Sequence, residues 1–300
     1  MRDFSFIKNS RNKKWVILAP RRSKRPDEAN GHIECPFCRG IELREKELYR
    51  VGGEPRDSKW QILVVPNKYP FSASHEIIID SSSHVDSIET FPLDHLENLM
   101  RVYRERYLHH HHSGQVVIFH NRGRKAGESI SHSHTQLVVI PEKVNLPVAY
   151  LGDVVPVLTR RESVDREKVI ESEYFDVFCP EFSEWPDEVW IMPKRRHEIF
   201  GEVKDKELPD LAKVLQTIIR LITLRHQDAL AYNFSIFHGN DWYIRFVPRE
   251  KVWGGFEVAT NVSVNTQKPS ETFEFLKEHF HDPDMEKIFR DHKAEYDWSV

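Results

Sequence analysis

Short apolar runs bounded by turn residues alternate with two long amphipathic stretches along this chain. Lys14 to Pro20, Gln61 to Pro66, Glu76 to Asp80, Gln115 to His120 and His132 to Pro141 are rich in Val and Ile and read as strands, the first of them as a buried one. Leu96, Leu99, Met100, Tyr103 and Tyr107 recur at helical spacing, so Leu93 to Leu108 is expected to be a helix with one buried side. His109 to Gly114 reads as its stop, with the histidines His109 to His112 in a solvated loop. Gly123 to Ser131 is a small-residue loop between two strands.

The second half repeats this order. Phe175 to Cys179 and Val189 to Pro193 read as strands, about Leu208 to Leu230 as an amphipathic helix, and Asn233 to His238 and Trp242 to Pro248 as strands again. Local echoes support a duplicated unit: Val117-Ile118-Phe119-His120 answers Ser235-Ile236-Phe237-His238. The halves differ between their last two strands. The first has a loop with Gly123, Gly127 and Ser129 followed by two strand histidines, whereas the second has only Gly239-Asn240-Asp241, then Tyr243 and Arg245. One half is expected to be chemically active and the other to keep the scaffold.

Composition narrows the function classes. In 300 residues, 39% hydrophobic side chains suffice for one large or two modest cores. Lys+Arg 43 against Asp+Glu 47 leaves a formal charge of −4, with no basic stripe for nucleic acid and no field for an acidic membrane. Three cysteines argue against a disulfide framework and for a reducing compartment. No apolar run approaches the roughly 20 residues needed to cross a bilayer, so a soluble cytoplasmic protein is expected.

The strongest chemical signal is Ser129-Ile130-Ser131-His132-Ser133-His134-Thr135-Gln136. Strand side chains alternate faces, so His132, His134 and Gln136 share one. Such a row is costly to bury without metals, phosphates or carbonyls as partners. The preceding loop, Asn121 to Ser129, offers glycines for close backbone approach, an amide, a hydroxyl and three cations, which suits a phosphate. Cys35-x-x-Cys38 is a zinc half-site, a redox pair or a coincidence. No helix signal follows it directly, against the redox reading; zinc would draw two more ligands from further along, and His84 and His132 are suitable candidates. His75, His95, His120, His197 and His238 are expected to be structural.

Taken together, these residues resemble the galactose-1-phosphate uridylyltransferase-like branch of the histidine-triad superfamily, which includes ADP-glucose phosphorylase-like proteins. The resemblance runs from Trp15 to Pro20 with Arg22, Lys24, Arg25 and Pro26, through Cys35-Pro36-Phe37-Cys38, His84, Asn121, Gly123, Gly127, Ser129 and His132 to Gln136. It resumes at Lys251-Val252-Trp253-Gly254-Gly255-Phe256-Glu257. It implies an α+β fold of two tandem histidine-triad-like halves, antiparallel sheets with flanking helices. Residues 1–160 would carry the metal site and the active histidine, and 161–300 would be catalytically degenerate but contribute to the substrate site.

It further implies Zn2+ on Cys35, Cys38, His84 and His132, and His134 as the nucleophile assisted by Gln136. Substrate contacts would come from Arg22, Arg25, Asn67, Asn121, Gly127, Ser129, Lys251 and Glu257. The implied reaction moves a nucleoside monophosphate between a nucleotide sugar and a sugar 1-phosphate through a nucleotidyl-histidine, in a homodimer. A phosphorylase using inorganic phosphate, and a non-catalytic nucleotide-binding zinc protein, remain open. Departures from the family pattern bear on specificity. Ser133 replaces the proline usual between the two histidines, Ser263 stands where a hexose-binding glutamine is expected, and Lys68 stands where an acidic residue is usual. Tyr243 and Arg245 replace a His-x-His pair of a second metal site, to which His238 would also correspond, so no second site is expected.

Overall fold

The structure is a computed structural model and describes residues 4–25, 34–38, 40, 44–149, 151, 159–160, 163–164, 168–226, 229–237 and 239–288. Its strands are β1 (Ser5–Lys8), β2 (Trp15–Leu18), β3 (Tyr49–Val51), β4 (Ile62–Pro66), β5 (His75–Ile79), β6 (Gln115–Arg122) and β7 (His134–Ile140). They continue with β8 (Thr159–Arg160), β9 (Ser163–Val164), β10 (Ile170–Glu171), β11 (Phe175–Phe178), β12 (Val189–Pro193), β13 (Tyr232–Ile236) and β14 (Ile244–Pro248). The α-helices are α1 (Leu93–His110), α2 (Leu208–His226), α3 (Gly255–Thr260) and α4 (Pro269–His279).

Ten strands form one antiparallel sheet in the order β10-β11-β12-β14-β13-β6-β7-β5-β4-β3. Read inward from either edge, the two halves have the same plan: two outer strands, a third, then the last two of the unit in reversed order. The duplicated β6 and β13 meet at the centre, with Ile118 opposite Ile236 and Phe119 opposite Ser235. The halves are therefore not two separate sheets but one, because each innermost strand offers its free edge to its counterpart and neither edge is left unpaired. The expected boundary at residue 160 falls beside residues outside those described.

Alternation along the strands separates two faces. Ile62, Val64, Ile78, Ile118, Leu137 and Val139 pack with Leu96, Leu99, Met100 and Tyr103 of α1 and the apolar side of α2 in the main core. On the other face Leu63, Val65, Ile77 and Ile79 pack with Phe37, Trp60 and Ile130, while Val138 and Ile140 receive Phe6, Trp15 and Ile17. The helices thus cover one side, leaving the other for chemistry.

Two expectations need correction. The first apolar run is not a buried strand of the main sheet: β2 pairs with β1 as a separate hairpin, with Val16 and Leu18 half exposed. An apolar run says that a strand forms, not which sheet takes it. The histidine run is not all loop either. His109 and His110 are the last turn of α1, and His111–Ser113 is a 3-10 turn. The cause lies across the sheet, where Glu76 of β5 holds a bidentate bond from Arg106 at 2.6 and 2.9 Å and lies 2.7 Å from His110 Nε2. That buried anchor keeps the helix wound past its last apolar residue.

Candidate active site

The polar row sits where the alternation predicts. β7 runs between β5 and β6, and its register sets His134 opposite Ile79 and Gln136 opposite Ile77 and Phe119. Just before it, His132 faces the Cys-x-x-Cys turn. His132 Nδ1 is 3.6 Å from Cys35 Sγ and 3.8 Å from Cys38 Sγ, and His84 Nδ1 is 3.4 Å from Cys38 Sγ. One donor atom from each of Cys35, Cys38, His84 and His132 lies within 4.8 Å of all the others. Tetrahedral ligands at zinc-like bond lengths are about 3.3 to 3.8 Å apart, so the cluster fits a metal ion.

The tautomers agree. His132 donates Nε2–H to the Ser81 carbonyl at 2.7 Å, leaving Nδ1 unprotonated toward the sulfurs, as a metal ligand must be. Burial lowers the pKa of His132 and so favours the neutral ring. Burial also pushes the Cys35 thiol up to about 12; a cation in the cluster is what would hold it as thiolate. These four residues can hold a metal ion.

His134 has the opposite arrangement. Its Nδ1–H donates to the His132 carbonyl at 2.8 Å, which leaves Nε2 with its lone pair. Burial pushes its pKa down to about 4, against the His132 carbonyl bond that raises it, so the ring is neutral near pH 7. The Phe37 ring packs against it with centroids 4.9 Å apart, tying the cysteine turn to the aim of the imidazole.

His134 and Gln136 line a cavity of about 190 Å³ with Arg22, Arg25, Asn67, Lys68, Tyr69, Glu45 and Ser129. Arg22 is fixed by a 2.8 Å bond to the Tyr69 carbonyl and by the Phe71 ring, 4.9 Å from its guanidinium carbon. Its pKa is lowered by burial and by the charge of Arg25, so two cations share one wall. Lys68 pairs with Glu45 at the rim; Glu45 was not singled out in the sequence because nothing links it locally to the motif.

The sequence-nominated substrate residues divide into two groups. Arg22, Arg25, Asn67 and Ser129 line the cavity, and Asn121, Gly127, Lys251 and Glu257 do not. Asn121 Oδ1 accepts a 2.8 Å bond from Asn233 of the other half. The loop before the row is partly self-satisfied: the Gly123 N–H donates to Glu128 at 2.8 Å, and Lys125 pairs with Glu250 at 2.6 Å.

At the positions of the expected second His-x-His pair, Tyr243 stacks on Trp190 at 4.3 Å and bonds the Ala149 carbonyl. Arg245 makes bonds of 2.6 and 2.9 Å to Glu188. His238 lies outside the described residues. Among the described residues the only cluster of metal-ligating groups is the one on Cys35, Cys38, His84 and His132. His95 donates to the Asp80 carbonyl at 2.7 Å and His120 stacks 5.1 Å from Phe234; neither lines the cavity.

The duplicated sheet, the His-x-His-x-Gln row and the two-cysteine, two-histidine cluster are those of a class the chain resembles, the galactose-1-phosphate uridylyltransferase-like branch of the histidine-triad superfamily. The individual comparisons are as follows. The chain is 25% identical to ADP-glucose phosphorylase of Arabidopsis thaliana, over 88% of this chain and 90% of that protein. It is 25% identical to galactose-1-phosphate uridylyltransferase of Thermotoga maritima, over 88% and 95%. The crystal structure of the Arabidopsis thaliana ADP-glucose phosphorylase with bound ADP-glucose superposes with a TM-score of 0.68, covering 92% of this chain and 99% of that one, at 25% identity. Residues 21–143 match a family model described as the N-terminal domain of a domain of unknown function, DUF4931.

Proposed function

We propose that the protein is a nucleotidyltransferase that moves a nucleoside monophosphate from a nucleotide sugar to a second phosphate-bearing acceptor through a covalent intermediate on His134. The observation that carries this reading is the state of that side chain. It is neutral, held by its Nδ1–H, with an unprotonated Nε2, and it sits on a cavity wall shared with Gln136, Ser129 and two arginines.

In the first step the Nε2 lone pair attacks the α-phosphorus, a P–N bond forms, and the bond from phosphorus to the bridging oxygen breaks. That oxygen leaves with the electron pair as sugar 1-phosphate. The positive charge that develops on the imidazole is stabilised by the His132 carbonyl that accepts its Nδ1–H. In the second step an acceptor phosphate oxygen attacks the same phosphorus and the P–N electrons return to Nε2. The Gln136 amide and the Ser129 hydroxyl are placed to donate to the phosphoryl oxygens where charge accumulates. Arg22 and Arg25 offer forked contacts to phosphates, and Asn67 a further amide. Zinc is the ion we propose for Cys35, Cys38, His84 and His132; when bound it supplies a fixed tetrahedral anchor for the strand end that carries His134.

We assign residues 1–160 the reaction and residues 161–300 the scaffold with a contribution to the substrate site. Lys251 and Glu257 lie 3.4 Å apart at α3, flanked by exposed Val252, Phe256, Val258 and Val262. An apolar patch of this kind suits a second copy of the chain, and in a homodimer Lys251 and Glu257 would serve the partner's cavity. Ser263, where a hexose-binding glutamine is expected, favours a second reading with the same first step: a phosphorylase that discharges the intermediate with inorganic phosphate.

The test uses ADP-glucose and UDP-glucose radiolabelled at the α-phosphate. Acid-labile, base-stable label is expected on the protein and is lost in His134→Ala. Absence of label with every nucleotide sugar, or label that survives His134→Ala, overturns the reading; nucleotide binding without label points to the non-catalytic alternative. Release of the label by phosphate or by a hexose 1-phosphate separates phosphorylase from transferase.

A further inference from the structure

Behind the cavity wall lies His75, the first residue of β5, 4% exposed. It stands opposite Val138 of β7, and side chains one diagonal step apart on the same face of neighbouring strands can reach each other. Its ring therefore lies beside Gln136. His75 Nε2 is 3.1 Å from Gln136 Oε1 and 3.1 Å from Asn67 Nδ2. Both amides line the cavity, so one hidden nitrogen sits behind the two amides that a ligand would meet.

A neutral imidazole carries a single N–H, and the partner of one nitrogen decides where it sits. The Phe71 backbone N–H points at Nδ1 from 3.4 Å, and a backbone N–H can only donate. Nδ1 is therefore the acceptor and Nε2 the donor. Burial pushes the pKa of the ring down to about 4 against the raising effect of the Gln136 bond, so it carries one proton at neutral pH. The Phe71 ring packs edge-on against it at 4.4 Å.

We propose that His75 is a positioning residue: by donating Nε2–H to Gln136 Oε1 it turns the NH2 end of that amide toward the cavity, where it meets the phosphoryl group. A glutamine amide has a donor end and an acceptor end, and only the donor end stabilises an anion. Without a fixed partner the side chain can flip and set its carbonyl oxygen against the phosphate. Asn67 is oriented separately: its Oδ1 accepts the Tyr69 N–H at 2.8 Å, which leaves its NH2 as the donor end. Both amides are thereby set as donors. The inference rests on the nucleotidyl-transfer reading for its chemistry, though the tautomer can be measured without it.

His75→Phe removes the N–H and keeps a ring; His75→Gln keeps an N–H at similar reach. With labelled ADP-glucose or UDP-glucose, His75→Phe is expected to form the His134 adduct about 10 to 100 times more slowly at saturating substrate, the scale of losing one oriented donor, with KM changed far less. His75→Gln is expected to restore most of the rate. Adding His75→Phe to Gln136→Ala should cost nothing more, since the two act as a unit. An unchanged rate in His75→Phe, an equal loss in both variants, or a loss that multiplies with Gln136→Ala overturns the proposal. If His75→Phe does not fold, His75→Leu takes its place. In the wild-type protein the imidazole 15N shifts of His75 should report the Nε2–H tautomer, and an Nδ1–H tautomer overturns the proposal whatever the activity. Wild-type protein that takes no label overturns the nucleotidyl-transfer reading instead, and the tautomer still decides His75.

Discussion

His132 and His134 are two residues apart on one face and hold their protons on opposite nitrogens, because each ring meets a backbone carbonyl with a different atom. In the proposed function, that small difference separates a metal ligand from a nucleophile. Asp187 shows how a residue can be decisive without chemistry. It is 4% exposed with φ of 53°, and it accepts bonds of 2.8 Å from both His226 and Thr272. Burial alone would raise its pKa, yet His226, Arg225 and Thr272 together leave it below 3.8. A carboxyl whose folded pKa is depressed stabilises the fold above its unfolded value and loses that contribution as pH falls through the folded value. Asp187→Asn keeps shape and tolerates the backbone, so it isolates the charge. Urea unfolding should show a loss of about 3 kcal/mol at pH 7; the loss should begin to shrink as pH falls below about 4, the unfolded value, and vanish only once the folded wild-type carboxyl is protonated, below its depressed value.

At the scale of elements, the turn between β6 and β7 makes two glycines unequal. Both have positive φ, 79° at Gly123 and 85° at Gly127. A Cβ on Gly123 would lie 2.9 Å from the Ala231 Cβ, whereas one on Gly127 meets nothing within 4 Å. Gly127→Ala should therefore cost only backbone strain, about 1 kcal/mol, and Gly123→Ala about 2 to 3 kcal/mol because it also pushes β13 away; thermal and urea unfolding measure the difference. The cysteine turn is a second such element. It meets the start of β7 through the four residues that can hold a metal ion and through the Phe37 contact with His134; on the proposed zinc reading, purified protein should contain about one zinc per chain by elemental analysis. Chelation should lower the melting temperature, and Cys38→Ser should lower both metal content and melting temperature.

For the whole molecule, fusion of two equal half-sheets at β6 and β13 leaves the polar row and its cavity in one half and exposes the α3 region of the other. Phe256→Glu with Val258→Glu should convert a dimer to monomers in sedimentation and, if Lys251 and Glu257 serve the partner's cavity, abolish transfer while leaving the monomer folded. An unchanged oligomeric state places the apolar patch outside the interface. Among the described residues no helix is long and apolar enough to cross a membrane. Much of this scale was legible in advance. The element order repeats in the sequence, and the echo around Ile118 and Ile236 marks the strands that meet at the centre. The N-terminal hairpin was not legible, since an apolar run carries no address. Nor was the extra turn of α1, which depends on Glu76 in a distant strand.

The sequence by itself determined most strands of the large sheet, the two long helices and the row of His132, His134 and Gln136 on one face, because the period of a strand is local and strict. It also put two cysteines close enough to share an ion. Only the tertiary structure decided how His84 and His132 meet those sulfurs, which nitrogen of each ring is free, and that His75 stands behind Gln136 and Asn67. Those outcomes depend on hydrogen-bond partners brought together from separate strands and turns, and spacing along one chain segment carries no record of them.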